Sequence, residues 1–205
     1  MFSRYLTILL SVFVLANADP FVPQSVIVNA EKKYGNFAKN RFVDLEDRMD
    51  EIKDKSITIK LNTVNTYFNL IKYKTDLENY GVDDYWATPW EFVGRNGGDC
   101  EDYVIAKYFA LRYLGIPAKL MYFTYVRSSL FKEAHMVLTY FETPTSEPLI
   151  LDNNNRLVLP ASKRTDLTPI YNFNGEVLSA TEKKNNHKTM QKWDDLIMNT
   201  KKGKI

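Results

Sequence analysis

The order of patterns along this chain predicts an α+β fold: helices first, one central helix bearing the single cysteine, then an antiparallel β-sheet. Three observations carry the prediction. Apolar residues recur at helical spacing through the first third of the chain. A helix-like stretch from Cys100 to Leu114 ends at Gly115 and Pro117. Beyond it, short aromatic and β-branched runs alternate with turn residues. With 205 residues, 45% of them hydrophobic, the chain can bury a sizeable core in one domain over residues 19–205.

The first residues read separately. Arg4 gives a short positive region, Tyr5 to Leu15 is an apolar run, and Ala16-Asn17-Ala18 has the form of a cleavage site. Residues 1–18 are therefore expected to be a signal peptide. The run is shorter than the roughly 18 apolar residues that would argue for a membrane span. The expectation is export to the periplasm, with no membrane insertion once the signal is removed.

From Asn29 to Leu77 the pattern is helical. Val43, Leu45, Met49 and Ile52 form one stripe; Ile59, Leu61, Val64, Tyr67, Phe68 and Ile71 form a second. Two or three helices are expected. Gly81, Pro89, Gly94, Gly97 and Gly98 then punctuate an aromatic segment, read as an ordered loop delivering the chain to Cys100. Trp86 and Trp90 in that loop either pack it onto the central helix or wall a groove. In the central helix, Val104, Tyr108, Leu111 and Leu114 form the apolar face. Strands are expected over Lys119–Val126, His135–Phe141 and Leu149–Leu151. Arg156–Leu159 would pair with the last of these as a hairpin. A further hairpin is expected across Asn174-Gly175, from Ile170–Phe173 to Glu176–Leu178. Residues 183–205 form a basic helix and tail, with Trp193 and Ile197 facing inward.

Charge excludes one class of function. The net charge is +2, from 27 basic and 25 acidic residues; without residues 1–18, whose one charge is Arg4, it is +1. A near-neutral chain has no global drive towards nucleic acid. Acids are interleaved with the terminal lysines, so no nucleic-acid partner is expected. The lone Cys100 says more. In an exported chain it is an odd thiol with no partner for a disulfide. It is either an inert or intermolecularly paired cysteine, or a reactive one.

The neighbouring residues favour reactivity. Gly97-Gly98-Asp99 places Cys100 in the first turn of its helix, where unpaired N–H groups and the positive end of the dipole favour a thiolate and can receive an oxyanion. Of the two histidines, His187 lies in a polar region with no strand pattern, whereas His135 opens a strand expected beside the central helix. Asp152 ends the next buried strand, 17 residues on, and adjacent antiparallel strands can set the two side by side. Taken singly, His135 could be an ordinary strand histidine and Asp152 a turn cap. As an ordered set, Cys100, His135 and Asp152 are candidates for nucleophile, base and orienting acid. Three acids, Asp99, Glu101 and Asp102, flank the nucleophile. They complement the helix dipole, but they also oppose ionisation of the thiol, which a bound Ca²⁺ would offset.

The stretches Asp84-Tyr85-Trp86-Ala87-Thr88-Pro89-Trp90-Glu91-Phe92 and Gly98-Asp99-Cys100-Glu101-Asp102-Tyr103 resemble the bacterial transglutaminase-like cysteine proteinases of the LapG type. So do Val64 to Asn69, Arg112 to Pro117, His135 to Leu138 and Leu151 to Asn153. The resemblance implies a transglutaminase-like, papain-related fold with the family's triad on Cys100, His135 and Asp152. It implies a calcium role for Asp99 and Glu101, and with them Asp102. It also implies a periplasmic endopeptidase that cuts a large surface adhesin near its N-terminus and so disperses biofilm. An inner-membrane receptor that senses cyclic di-GMP would hold it in check. A transglutaminase-type acyltransferase would use the same three residues and the same acyl-enzyme, and a silent binding module would keep the fold; the resemblance favours hydrolysis.

Overall fold

The computed structural model describes residues 19–130, 134–174, 176 and 187–205. The expected signal peptide and the second half of the expected Asn174-Gly175 hairpin lie outside them. The helical first third comprises α1 (Gln24–Tyr34), α2 (Asn36–Ile52) and α3 (Ile57–Phe68). Gly35 separates α1 from α2 with a φ of 81°, a left-handed value that glycine adopts without steric cost. Most of each apolar stripe is the core face: Phe42, Leu45, Met49, Leu61, Val64 and Phe68 are buried, whereas Val43 and Ile59, expected in the stripes, lie on the exposed sides of their helices. Burying each such side chain fully stabilises the fold by about 1.5–3 kcal/mol.

The expected loop before Cys100 is more structured than its glycines suggest. A two-residue strand β1 (Lys72–Tyr73) and a short helix α4 (Asp76–Tyr80) lead into it. Within it lies α5 (Pro89–Arg95), started by a capping box: Thr88 accepts the Glu91 N–H and Glu91 accepts the Thr88 N–H, with Pro89 in the first turn. Strand β2 (Gly97–Gly98) then pairs in parallel with β1. Both tryptophans are buried. Trp86 stacks on Phe123, and Trp90 packs on Phe21 and Phe42 while its Nε1 donates to the Thr200 carbonyl at 3.0 Å.

The central helix α6 runs Cys100–Tyr113 and stops at Gly115, whose φ is 87°. After it come β3 (Met121–Ser128), β4 (Ala134–Tyr140), β5 (Leu149–Asp152), β6 (Asn155–Pro160) and β7 (Leu167–Phe173). They form one antiparallel sheet in the order β6-β5-β4-β3-β7. β5 and β6 make the expected hairpin. β7 takes the free edge of β3, with Phe173 opposite Phe123. Alternation along β4 splits its side chains between two faces. Met136, Leu138 and Tyr140 join the helix-side core, while Val137 joins Val126 and Ile150 in a second cluster. The terminal helix α7 (His187–Lys201) buries Trp193 against Tyr108, Phe123 and Phe173, with Ile197 packed at the core margin.

Candidate active site

Cys100 opens α6 and is half-buried. Its sulfur accepts the backbone N–H of Met136, which sets it beside the residue that follows His135. Two adjacent strands bring His135 and Asp152 together. Thr139 lies opposite Ile150, and the alternation of β4 and β5 puts His135 on Thr139's face and Asp152 on Ile150's. His135 Nε2 lies 2.8 Å from Asp152 Oδ1, with both side chains buried. That oxygen also accepts the Asn154 N–H at 2.9 Å, as a turn residue's carboxylate does, so the cap and the imidazole partner are one group. Burial alone would raise the Asp152 pKa. The bond and charge of His135, the Asn154 N–H and Arg164 outweigh it and bring it down to about 2.

A second ring of contacts fixes the turn that carries Asp152. Asn69, just past the end of α3, donates to the Asp152 carbonyl at 2.8 Å and to the Asn155 carbonyl at 3.1 Å. Asn65 donates to the Asn155 and Arg156 carbonyls, and its own carbonyl accepts from Lys107 Nζ at 2.8 Å. Lys107, on the same helix as Cys100, is fully buried, and that burial lowers its pKa to about 7. On the far side of Asp152, Arg164 Nη2 donates to Oδ2 at 2.6 Å.

Asp99, Glu101 and Asp102 do stand together, joined by two acids that the sequence patterns had left unremarked, Asp76 and Asp84. One carboxylate oxygen from each of Asp76, Asp84 and Glu101 lies within 4.8 Å of the others, and the same holds for Asp76, Asp99 and Asp102. Although it occupies the N-cap of α6, Asp99 makes no side-chain cap bond. Asp76 Oδ1, Asp99 Oδ1 and Asp102 Oδ2 are buried and accept no hydrogen bond. Burial, then the neighbouring acids, pushes Asp99 up to about 10 and Asp76 to about 6; burial holds Asp102 well above the carboxylate range. The thiol follows. Burial first, then the charge of Glu101 and the hydrogen bond that Sγ–H donates to it at 3.1 Å, raise the Cys100 pKa well above its usual value. The helix N-terminus does not prevail here over burial and the charges of Glu101 and Asp99.

The model of the family described as bacterial transglutaminase-like cysteine proteinase matches residues 34–195. The chain belongs to that family. Solved structures agree. Legionella pneumophila LapG superposes with a TM-score of 0.74 at 39% identity, covering 89% of this chain and 99% of that one. An EGTA-treated form of LapG gives 0.74 at 38% identity over 89% and 100%. Its calcium-bound form gives 0.71 at 38% identity over 85% and 97%. No curated protein sequence matches. The proteinase therefore has the transglutaminase-like α+β fold, and it has one cysteine, Cys100.

Three residues beside the candidate site escaped sequence reasoning, for different reasons. Asp76 sits in a Thr75-x-x-Glu78 capping box and reads as a helix-start acid. Asp84 is an exposed loop acid that reaches the cluster by tertiary folding. Arg164 lies in a short connection with no periodicity at all.

Proposed function

We propose that this proteinase is an exported, calcium-dependent endopeptidase in which Cys100, His135 and Asp152 form the catalytic triad. The observation that carries the reading is the 2.8 Å His135–Asp152 bond beside a sulfur held by the neighbouring Met136 N–H at a helix start. Cys100 attacks the peptide carbonyl, and the unpaired N–H groups of the first turn of α6 receive the oxyanion. With Nε2 engaged by Asp152, the ring exchanges protons through Nδ1. It takes the thiol proton, gives it to the leaving amine, and then activates water against the acyl-enzyme.

The acid cluster fits a hard divalent cation. All of its donors are oxygens, and three buried oxygens accept no hydrogen bond. Asp76, Asp84, Asp99, Glu101 and Asp102 would hold Ca²⁺. Bound calcium supplies positive charge that offsets the carboxylates opposing thiolate formation. LapG, solved both with calcium and after EGTA treatment, supports carrying the metal over to this chain.

For the substrate we propose the N-terminal region of a large surface adhesin, cut in the periplasm so that cells leave a biofilm. An inner-membrane cyclic di-GMP receptor is the proposed inhibitory partner. Residues 1–18 would be the cleaved signal. Among the described residues no helix is long and apolar enough to cross a membrane. The test is incubation with a recombinant N-terminal fragment of a large secreted adhesin from the same organism, with Ca²⁺ or with chelator, read by mass spectrometry. Two shorter products, lost in Cys100→Ala and in chelator, support the reading. A heavier adduct that requires an added amine would instead make the enzyme an acyltransferase.

A further inference from the structure

Asp152 has two carboxylate oxygens, and the reaction uses one. Oδ1 faces His135 Nε2 and the Asn154 N–H. Oδ2 faces Arg164 Nη2 at 2.6 Å. Arg164 is only 6% exposed, although it comes from the connection between β6 and β7 and belongs to neither strand. That connection is itself tied down. The Arg164 N–H donates to the Ala161 carbonyl, the Leu167 N–H donates to the Arg164 carbonyl, and the Ser129 N–H donates to the Asp166 carbonyl at the end of β3. Asp166 also holds the guanidinium, sharing Nη2 with Asp152. Nε reaches Asp166 Oδ1 at 3.0 Å and Nη2 reaches Asp166 Oδ2 at 2.8 Å.

We infer that Arg164 is a positioning residue for the triad, clamping Oδ2 of Asp152 so that Oδ1 keeps one orientation towards His135, with Asp166 as its counterweight. The inference rests on the triad reading above. The charge count gives the arrangement its chemical sense. Arg164 contributes one positive charge against two negative ones, Asp152 and Asp166. With His135 neutral, the buried Asp152–Arg164 pair and the partly exposed Asp166 are together one positive charge short, and the imidazolium formed during catalysis completes the set. Were Asp166 absent, Arg164 would neutralise Asp152 by itself and leave less charge to support the imidazolium. Were Arg164 absent, a buried carboxylate would lose a charge-assisted bond and the constraint on its rotation.

The test compares Arg164→Ala, Arg164→Lys and Asp166→Asn with the wild type and with Glu147→Ala. Glu147 pins the same connection by accepting the Ser162 N–H, and it touches none of the four groups. Steady-state cleavage of the adhesin fragment in Ca²⁺ is measured for each, together with thermal melting and the downfield imidazole N–H proton resonance of His135. Arg164→Ala should lower kcat roughly 10- to 100-fold with KM within about twofold, since small misplacements of reacting groups cost on that order. Arg164→Lys should recover part of the loss. Asp166→Asn should lower kcat a few-fold, and the His135 resonance should shift or vanish in Arg164→Ala while persisting in Glu147→Ala. Unchanged kcat and resonance in a folded Arg164→Ala would overturn the inference, as would losses that merely follow the melting temperature, as in Glu147→Ala. If Arg164→Ala does not fold, the lysine and Asp166→Asn variants carry the same comparison. If the wild type shows no Cys100-dependent cleavage, the substrate reading fails, while the resonance still decides the clamp.

Discussion

Calcium added to chelator-treated protein at pH 7 should displace protons, and the number follows from the acid cluster. Burial and neighbouring charge put Asp99 at about 10, so at pH 7 it carries essentially one proton. Asp76, at about 6, carries about a tenth of one. Burial also holds Asp102 above the carboxylate range, which acts in the same direction. A metal takes these groups only as carboxylates. Binding should therefore release at least about one proton per ion, and the apparent affinity should rise at least about tenfold per pH unit near neutrality. Isothermal calorimetry in buffers of different ionisation enthalpy measures this release as the slope of observed heat against buffer heat. Stability carries the opposite sign in the metal-free form. These acids have folded pKa values above their unfolded ones, so their contribution is complete below about pH 4. It is lost as pH rises through about 6 for Asp76 and about 10 for Asp99. Chelated protein should thus melt lower at pH 8 than at pH 5, and the stabilisation added by Ca²⁺ should grow over that same window. A slope of zero protons, with an affinity indifferent to pH, would refute the assignment of these acids to one cation site.

Three further outcomes are expected. Asp152→Asn should lower kcat by roughly 10³- to 10⁴-fold with the fold intact, because the imidazole loses its charged acceptor; steady-state cleavage of the adhesin fragment measures it. A Cβ added at Gly98 would overlap the Asp102 carboxylate and lie 2.6 Å from Phe92. Gly98→Ala should therefore cost about 1–3 kcal/mol and weaken Ca²⁺ binding, read by chemical denaturation and by calcium titration. Asn65→Ala takes the acceptor from the buried Lys107 Nζ and frees the Arg156 carbonyl, while the Asn155 carbonyl keeps only its donor from Asn69. It should cost about 2–4 kcal/mol and lower Tm by roughly 5–15 °C in a thermal melt.

Much of this architecture was readable from local pattern, because helix stripes and strand runs record which face is buried. Residues such as Leu45, Val64 and Leu111 show their burial by spacing alone. The elements that escaped are those settled by distant partners. β1 and β2 are two residues each, too short to leave a pattern, and exist because Lys72 and Gly97 meet. β7 found β3 through an open sheet edge, a choice invisible to a rule about adjacent runs. α5 was an oversight of weighting: Thr88, Pro89 and Glu91 spell a helix start, but the surrounding glycines argued for a loop. At the candidate site, the proposed triad residues Cys100, His135 and Asp152 stand out in the sequence because each sits at an element boundary with a known chemical use. Arg164 and Asp84 do not, because an arginine or aspartate in a connection has no signature until the chain around it is packed. The glycines before Cys100 have a packing reason that the sequence does not show. In the structure the side-chain space at Gly98 is taken by Asp102 and Phe92, and that at Gly97 by Lys74.

The two charged groups around the sulfur differ in a way that explains why a metal belongs to one and not the other. Around Asp152 the negative charge is met by groups of the chain itself, Arg164 and the imidazolium that His135 becomes, so its carboxylate stays ionised down to about pH 2. Around Glu101, among the described residues, Lys192 reaches Asp84 from the terminal helix, and Asp76, Asp99 and Asp102 have no cationic side chain bonded to them. Buried oxygens without donors cost free energy in any fold. With no metal, protons relieve that cost, and the same acids then keep the thiol protonated, with Glu101 accepting its hydrogen. A cation that replaces those protons removes the acceptor's claim on the thiol and the local negative potential together. In the proposed enzyme, metal dependence and thiol reactivity would thus be one electrostatic balance, set in the single turn from Asp99 to Asp102.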